Sequence, residues 1–172
     1  MKHKTFFIIL LLIDISSCSG SSIWANFDDL IERADLICLG EVVKGEVVES
    51  GGALYSIKIE SILKGHSSEE TILIGKYHGL RIGNRYLLLL KNCSENYYEV
   101  FFEGMSKFEV IYELINDEFF YCIEIPEDLI GVKSFKDKFV NEAVLSKNGL
   151  RWNKHRYILQ DIVDYIASIF SI

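Results

Sequence analysis

The chain of 172 residues holds a single proline, Pro126, and contains no proline-rich linker, internal repeat or low-complexity tract that would divide it. Its four histidines are His3, His66, His78 and His155. None has a cysteine or carboxylate partner at the spacing a metal site needs, and the cysteines match no zinc pattern, so no metal ligand is assigned. The chain also lacks a Gly-x-Ser-x-Gly elbow, a phosphate-binding glycine-rich loop, a His-Glu-x-x-His pair and a calcium loop. No catalytic residue and no cofactor follows from such a sequence. The acidic pairs Asp28-Asp29 and Glu69-Glu70 lie in polar stretches, where carboxylates stay solvated and are not tuned for acid–base work.

Positive charge is also scarce. Eighteen basic residues face 25 acidic ones, a formal charge of −7. Without residues 1–17, which hold Lys2, Lys4 and Asp14, 16 basic and 24 acidic residues remain, a net charge of −8. Such a surface is repelled by phosphate backbones, which argues against a nucleic-acid partner. Nor does it draw the chain toward anionic lipids, so any membrane attachment must be hydrophobic or covalent.

Apolar residues, by contrast, are abundant. They make up 49% of the chain and aromatics 13%, enough for one packed domain and too little chain for two ordinary ones. The first residues follow the three-part layout of an export signal. Met1-Lys2-His3-Lys4 is basic, Phe6–Ile13 is an unbroken apolar run, and Ile15-Ser16-Ser17-Cys18 follows. The run is far shorter than the roughly 20 residues of a spanning helix. Ile15-Ser16-Ser17-Cys18 resembles the lipobox of bacterial lipoproteins. That resemblance implies cleavage before Cys18 and acyl chains on its sulfur and amine, which would anchor the chain stably. The other reading is an ordinary signal cleaved nearby, leaving a secreted soluble protein. Residues 1–17 are thus expected to be a signal peptide, and 18–33 a lipidated cysteine with its tether.

With Cys18 acylated, three cysteines remain, an odd number. Cys38 lies in the apolar run Leu36-Ile37-Cys38-Leu39 and reads as a small core residue. Cys93 sits in a polar stretch and Cys122 in an apolar strand, and an oxidising compartment would allow these two to pair as a disulfide.

From Ala34 the pattern is that of strands. Leu36–Val48 is β-branched and carries Gly40 and Gly45, which suit bends or bulges. Tyr55–Glu60 alternates apolar and polar residues, Thr71–Lys76 is a short strand, and Tyr86–Leu90 reads as a strand buried on both faces. Tyr97–Phe102 is a further strand. Phe108–Leu114 and Phe119–Ile123 form a hairpin around Asn116-Asp117. Before the strands, Asp28–Arg33 reads as a helical turn with acids near its start.

After Pro126 the period changes. Ser134-Phe135-Lys136-Asp137 reads as a capping box with Phe135, Phe139 and Ala143 on one helical face, and Asn148-Gly149 as the stop. Leu159, Ile162, Val163, Ile166, Ile169 and Phe170 form the apolar stripe of an amphipathic helix, with Lys154-His155-Arg156 at its entry.

Three segments taken in order, Ala34–Val42, Tyr55–Gly65 and Gly83–Leu90, resemble the core of the netrin-module and tissue-inhibitor-of-metalloproteinases superfamily. The resemblance rests on Ala34-Asp35 with Gly40 and Val42, Tyr55 with Leu63-Lys64-Gly65, and Gly83 with Tyr86-Leu87. It implies an OB-like closed β-barrel of about five strands over residues 34–125. The added hairpin and a C-terminal helical extension over 126–172, packed on the barrel, complete a mainly β protein. The inhibitors of that superfamily chelate protease zinc through a free N-terminal cysteine and carry many disulfides. Here the disulfide framework is missing and Cys18 would be blocked, so no inhibitory residue is carried over.

The expected function is that of a non-catalytic envelope lipoprotein that binds or scaffolds, held to the membrane by its lipid and meeting an envelope protein or glycan. A secreted inhibitor of netrin type, and an envelope enzyme built where Asp35, His78 and Glu103 converge, are the alternatives. Substitution Cys18→Ala is expected to move the chain out of the membrane fraction. The mass of the mature native chain should exceed that of residues 18–172 by its acyl groups, and a mass without them would refute lipidation.

Overall fold

A computed structural model describes residues 26–49, 51–75, 79–100, 106–126, 129, 141–147 and 150–170, with side chains from 141 to 154 left aside. Helix α1 (Phe27–Arg33) precedes nine strands: β1 (Leu36–Val47), β2 (Ala53–Lys64), β3 (Thr71–Ile74), β4 (Arg85–Ser94), β5 (Tyr97–Val100), β6 (Lys107–Ile115), β7 (Glu118–Pro126), β8 (Asn141–Lys147) and β9 (Leu150–Ile158). Helix α2 (Leu159–Phe170) closes the order. The expected signal peptide and Cys18 lie outside the described residues.

Five strands close on themselves in the order β1-β2-β3-β5-β4, with β4 returning to β1. Only β3 and β5 run parallel. This is the strand order of an OB-like barrel, and it confirms the fold class expected from the sequence. Closure depends on β1, whose residues Ile37 to Glu41 pair with both β2 and β4. A strand can serve two neighbours at that angle only if it bends. Register shifts at Ile37/Cys38, Leu39/Gly40 and Val42/Lys44 supply the bend. At Gly40 a Cβ would sit 2.6 Å from Ile57 Cγ2 and 2.9 Å from the Lys58 carbonyl, so β2 can approach only a glycine there.

Strand β4 separates two apolar layers. Its alternation sends Tyr86, Leu88 and Leu90 into the barrel with Cys38, Ile57 and Ile72. Leu87 and Leu89 point outward into a second core. All five are buried, which is why the sequence Tyr86–Leu90 is apolar without a break. The second core is roofed by the helices. Phe27, Leu30 and Ile31 of α1 and Leu159, Ile162 and Ile166 of α2 are buried against it. Each large side chain buried this way contributes about 1.5–3 kcal/mol. Helix α1 begins with a capping box, in which Asn26 Oδ1 accepts from the Asp29 N–H at 2.8 Å and the Asp29 side chain accepts from the Asn26 N–H. At its other end Lys64 Nζ donates to the carbonyls of Ile31 and Glu32, at 2.9 and 2.7 Å.

The C-terminal third departs from expectation. Strand β6 leaves the barrel by pairing with β4 over only three residues, and β7, β9 and β8 follow it outward in the sheet. Of the expected helical extension, Leu159–Phe170 is helical, whereas Asn141–Lys147 and Leu150–Ile158 are strands. Ala143, expected on a helix, lies in β8, and Lys154-His155-Arg156 lies within β9. Phe135 and Phe139 lie outside the described residues. Strands β8 and β9 pair with Lys147 opposite Leu150. Asn-Gly between such ends is the strongest short hairpin signal, and here it outweighs its alternative meaning as a helix stop. The β6–β7 hairpin occurs where expected. Asn116 and Asp117, with φ of 51° and 67°, supply the left-handed turn for which glycine is commoner.

Gly65 ends β2 with φ of +82°, and a Cβ there would collide with the Asp35 carbonyl. Gly65→Ala is expected to cost at least about 2 kcal/mol through the left-handed backbone and the collision together. The check is a lower urea midpoint at unchanged slope.

Candidate functional site

The β6–β7 hairpin reaches beyond the helices that cover its base, and this overhang makes the site. One face of the hairpin carries Phe108, Val110, Tyr112 and Leu114 from β6 and Phe119, Tyr121, Ile123 and Ile125 from β7, matched by the pairs Tyr112–Tyr121 and Leu114–Phe119. Near the base Phe108, Ile123 and Ile125 are buried in the second core. Toward the turn the same face emerges into solvent. Tyr112 is 62% exposed, Leu114 55%, Phe119 61% and Tyr121 51%. The rings of Tyr112 and Phe119 stack at 5.0 Å, and Tyr121 tilts against Tyr112 at 5.1 Å. This cluster, open to water and bordered by polar groups, is the candidate site.

Two clefts flank Tyr121. The larger, of about 390 Å³, lies between the hairpin, the outer wall of the barrel and the start of α2, and is lined by Leu39, Phe119, Tyr121, Leu159 and Val163 with Ser61 and Gln160 as polar groups. The smaller, of about 300 Å³, opens where β4 and β6 part, between Asn84, Arg85, Glu109, Tyr112 and Tyr121. Their sizes fall at the lower end of the range for small-ligand sites.

The charges beside this surface are matched. Arg85 donates to Glu60 through Nε at 2.8 Å and Nη2 at 2.5 Å, and its guanidinium lies 4.9 Å from the Tyr121 ring centre. The bond to Glu60 holds Arg85 more firmly charged than usual. Asn84 donates to Glu109 at 2.5 Å. On the opposite face of the hairpin, Arg156 donates to Glu113 at 2.8 Å and to Glu124 at 3.0 Å, joining β6, β7 and β9. Partial burial opposes the Arg156 charge, but the two carboxylates outweigh it.

The residues singled out from sequence do not gather here. Asp35 accepts from Lys91 Nζ at 3.2 Å and from the Asn92 N–H at 3.0 Å, which ties the start of β1 to β4. His78 and Glu103 lie outside the described residues, so their convergence with Asp35 is not described. His66, Glu69 and Glu70 are exposed in the loop before β3, and the Ser67 hydroxyl donates to the Glu69 carbonyl. Asp28 accepts from the Tyr165 hydroxyl at 2.6 Å, so it fastens α1 to α2. Among the described residues no group of three or more His, Cys, Asp or Glu is placed to hold a metal.

Cys93, which is exposed, and Cys122, which is buried, are not joined by a disulfide. In the strand register Cys93 lies beyond the end of β6, whereas Cys122 faces Ile111 near its middle. Cys38 is sealed in the barrel, as expected of a core residue, and burial pushes its thiol up to about 12.

The chain is thus an OB-like barrel with an appended sheet and an exposed aromatic hairpin. No family model, curated protein sequence or solved structure matches it. No helix among the described residues is long and apolar enough to cross a membrane.

The backbone N–H of Asn92 and the Lys91 charge hold the Asp35 carboxyl below its ordinary value. A depressed folded value means the contribution is complete above the unfolded value and is lost as pH falls through the folded one. Asp35→Asn should therefore lower the denaturation midpoint at neutral pH but narrow the gap to the parent as pH falls below about 4. Urea melts of both chains at neutral and at acid pH check it.

Proposed function

We propose that this chain is an exported protein, held at the cell envelope by acyl groups on Cys18, whose folded part binds a partner without transforming it. The observation that carries the binding reading is the exposed face of Tyr112, Leu114, Phe119 and Tyr121, set beside two clefts. Its exposure costs solubility, so an unoccupied surface of this kind calls for an occupant.

The chemistry of the clefts favours binding over catalysis. An acid–base site needs titratable groups whose surroundings drive their values apart. Glu60 and Arg85 instead satisfy one another, and Glu109 is engaged by Asn84. Aromatic faces rimmed by an amide, carboxylates and a guanidinium suit an amphipathic partner, such as an envelope protein segment or a sugar chain. The anchoring half of the reading is supported by Ile15-Ser16-Ser17-Cys18 after the apolar run, and by the acidic balance, which offers no electrostatic route to a membrane.

A photo-activated phenylalanine analogue placed at Phe119 tests the binding half in cells. Cross-linked species are expected at 119 and absent at the control position Val47, exposed at the far end of β1. Equal yields at the two positions would refute a partner site at the hairpin.

A further inference from the structure

We propose that the exposed face of the β6–β7 hairpin rests on the lipid bilayer, giving the anchored protein a second, shallow membrane contact that fixes its orientation. The proposal depends on the anchored reading of Cys18. It assigns the overhanging side chains Tyr112, Leu114 and Phe119 to the bilayer and leaves the two clefts beside Tyr121 to the partner of the folded part.

The tether joins the fold at α1. Phe27, the first residue of α1, packs edge-on against Phe108 with ring centres 5.4 Å apart. Phe108 shares its face of β6 with Tyr112 and Leu114. The first turn of α1 therefore lies on the side toward which the exposed face looks. Asn26 is eight Cα steps from Cys18, a reach of at most about 28 Å. Leu114 is six residues beyond Phe108 on the same strand, about 20 Å away. A bilayer holding the acyl groups of Cys18 thus lies within reach of the hairpin face.

The composition of the face fits the interfacial zone. Tyrosine, phenylalanine and leucine bury apolar area there, and the tyrosine hydroxyls remain at the headgroup level. The cation that touches the face, Arg85 over the Tyr121 ring, is paired with Glu60, and Glu109 at the cleft accepts from Asn84. Desolvating the Tyr121 side therefore strands neither Arg85 nor Glu60. Asp117 and Glu118 at the turn are exposed, so the hairpin must lie flat with its tip in the headgroups and cannot plunge in. With a net charge of −8 after Cys18 becomes the first residue, the contact is held by apolar burial and is insensitive to salt.

The test uses the full chain carrying Cys93→Ser and Leu114→Cys, purified from membranes, with its mass measured first. Acylation blocks Cys18, and Cys38 and Cys122 are buried, so a bimane label attaches at 114. A second chain carries the label through Val47→Cys. In phosphatidylcholine vesicles the label at 114 is expected to shift to the blue and to be quenched several-fold more by nitroxide-bearing lipids than the label at 47, in low and high salt alike. Adding Tyr112→Ser and Phe119→Ser should abolish the difference. An acylated chain whose label at 114 is as open to aqueous iodide as that at 47 would overturn this proposal alone. A mature chain without acyl groups would overturn the anchored reading and this contact with it.

Discussion

The fold depends on the antiparallel pairing of β1 with β4. That ladder closes the barrel, and it also forms the wall on which the second core is built. Because β4 alternates across the wall, each leucine in it stabilises one of the two layers, and neither layer can be disturbed without reaching the other. Bending β1 far enough to meet β4 requires the bulges and the missing side chain at Gly40. The helices, the C-terminal sheet and the overhanging hairpin all take their positions from this wall.

A closed barrel has no free edge, but the strand β6 that leaves it creates a new sheet. The helices cover the base of that sheet and stop short of its hairpin. An apolar face that starts as core therefore ends as surface, with no change in sequence pattern between its two halves. The ion pairs of Arg156 brace the other side of the hairpin across three strands, which keeps the overhang from folding back. Exposed face and core are here made from one continuous alternation.

This continuity explains what was legible in the sequence and what was not. Strands β1, β2, β4, β6 and β7 could be read because alternation and β-branched runs report burial locally. The unbroken run Tyr86–Leu90 correctly announced a strand covered on both sides. The same logic concealed the candidate site. Phe108, Val110, Tyr112 and Leu114 alternate as any half-buried strand does, and nothing in that spacing tells where the covering helices end. Only tertiary placement makes Tyr112 differ from Phe108. Over 134–149 the helical spacing of Phe135, Phe139 and Ala143 competes with the hairpin dipeptide Asn148-Gly149, and this ambiguity hides β8 and β9. The helix at Leu159–Phe170 was legible because its stripe is long and its opposite side is polar.

Cys38 and Cys122 lie in different parts of this architecture, one sealed inside the barrel and the other in the appended sheet. Burial keeps both thiols protonated and out of reach of reagents. Each becomes reactive only when its own surroundings open. The chain thus carries two native clocks, whose rates of alkylation would reveal whether barrel and appended sheet breathe together or apart.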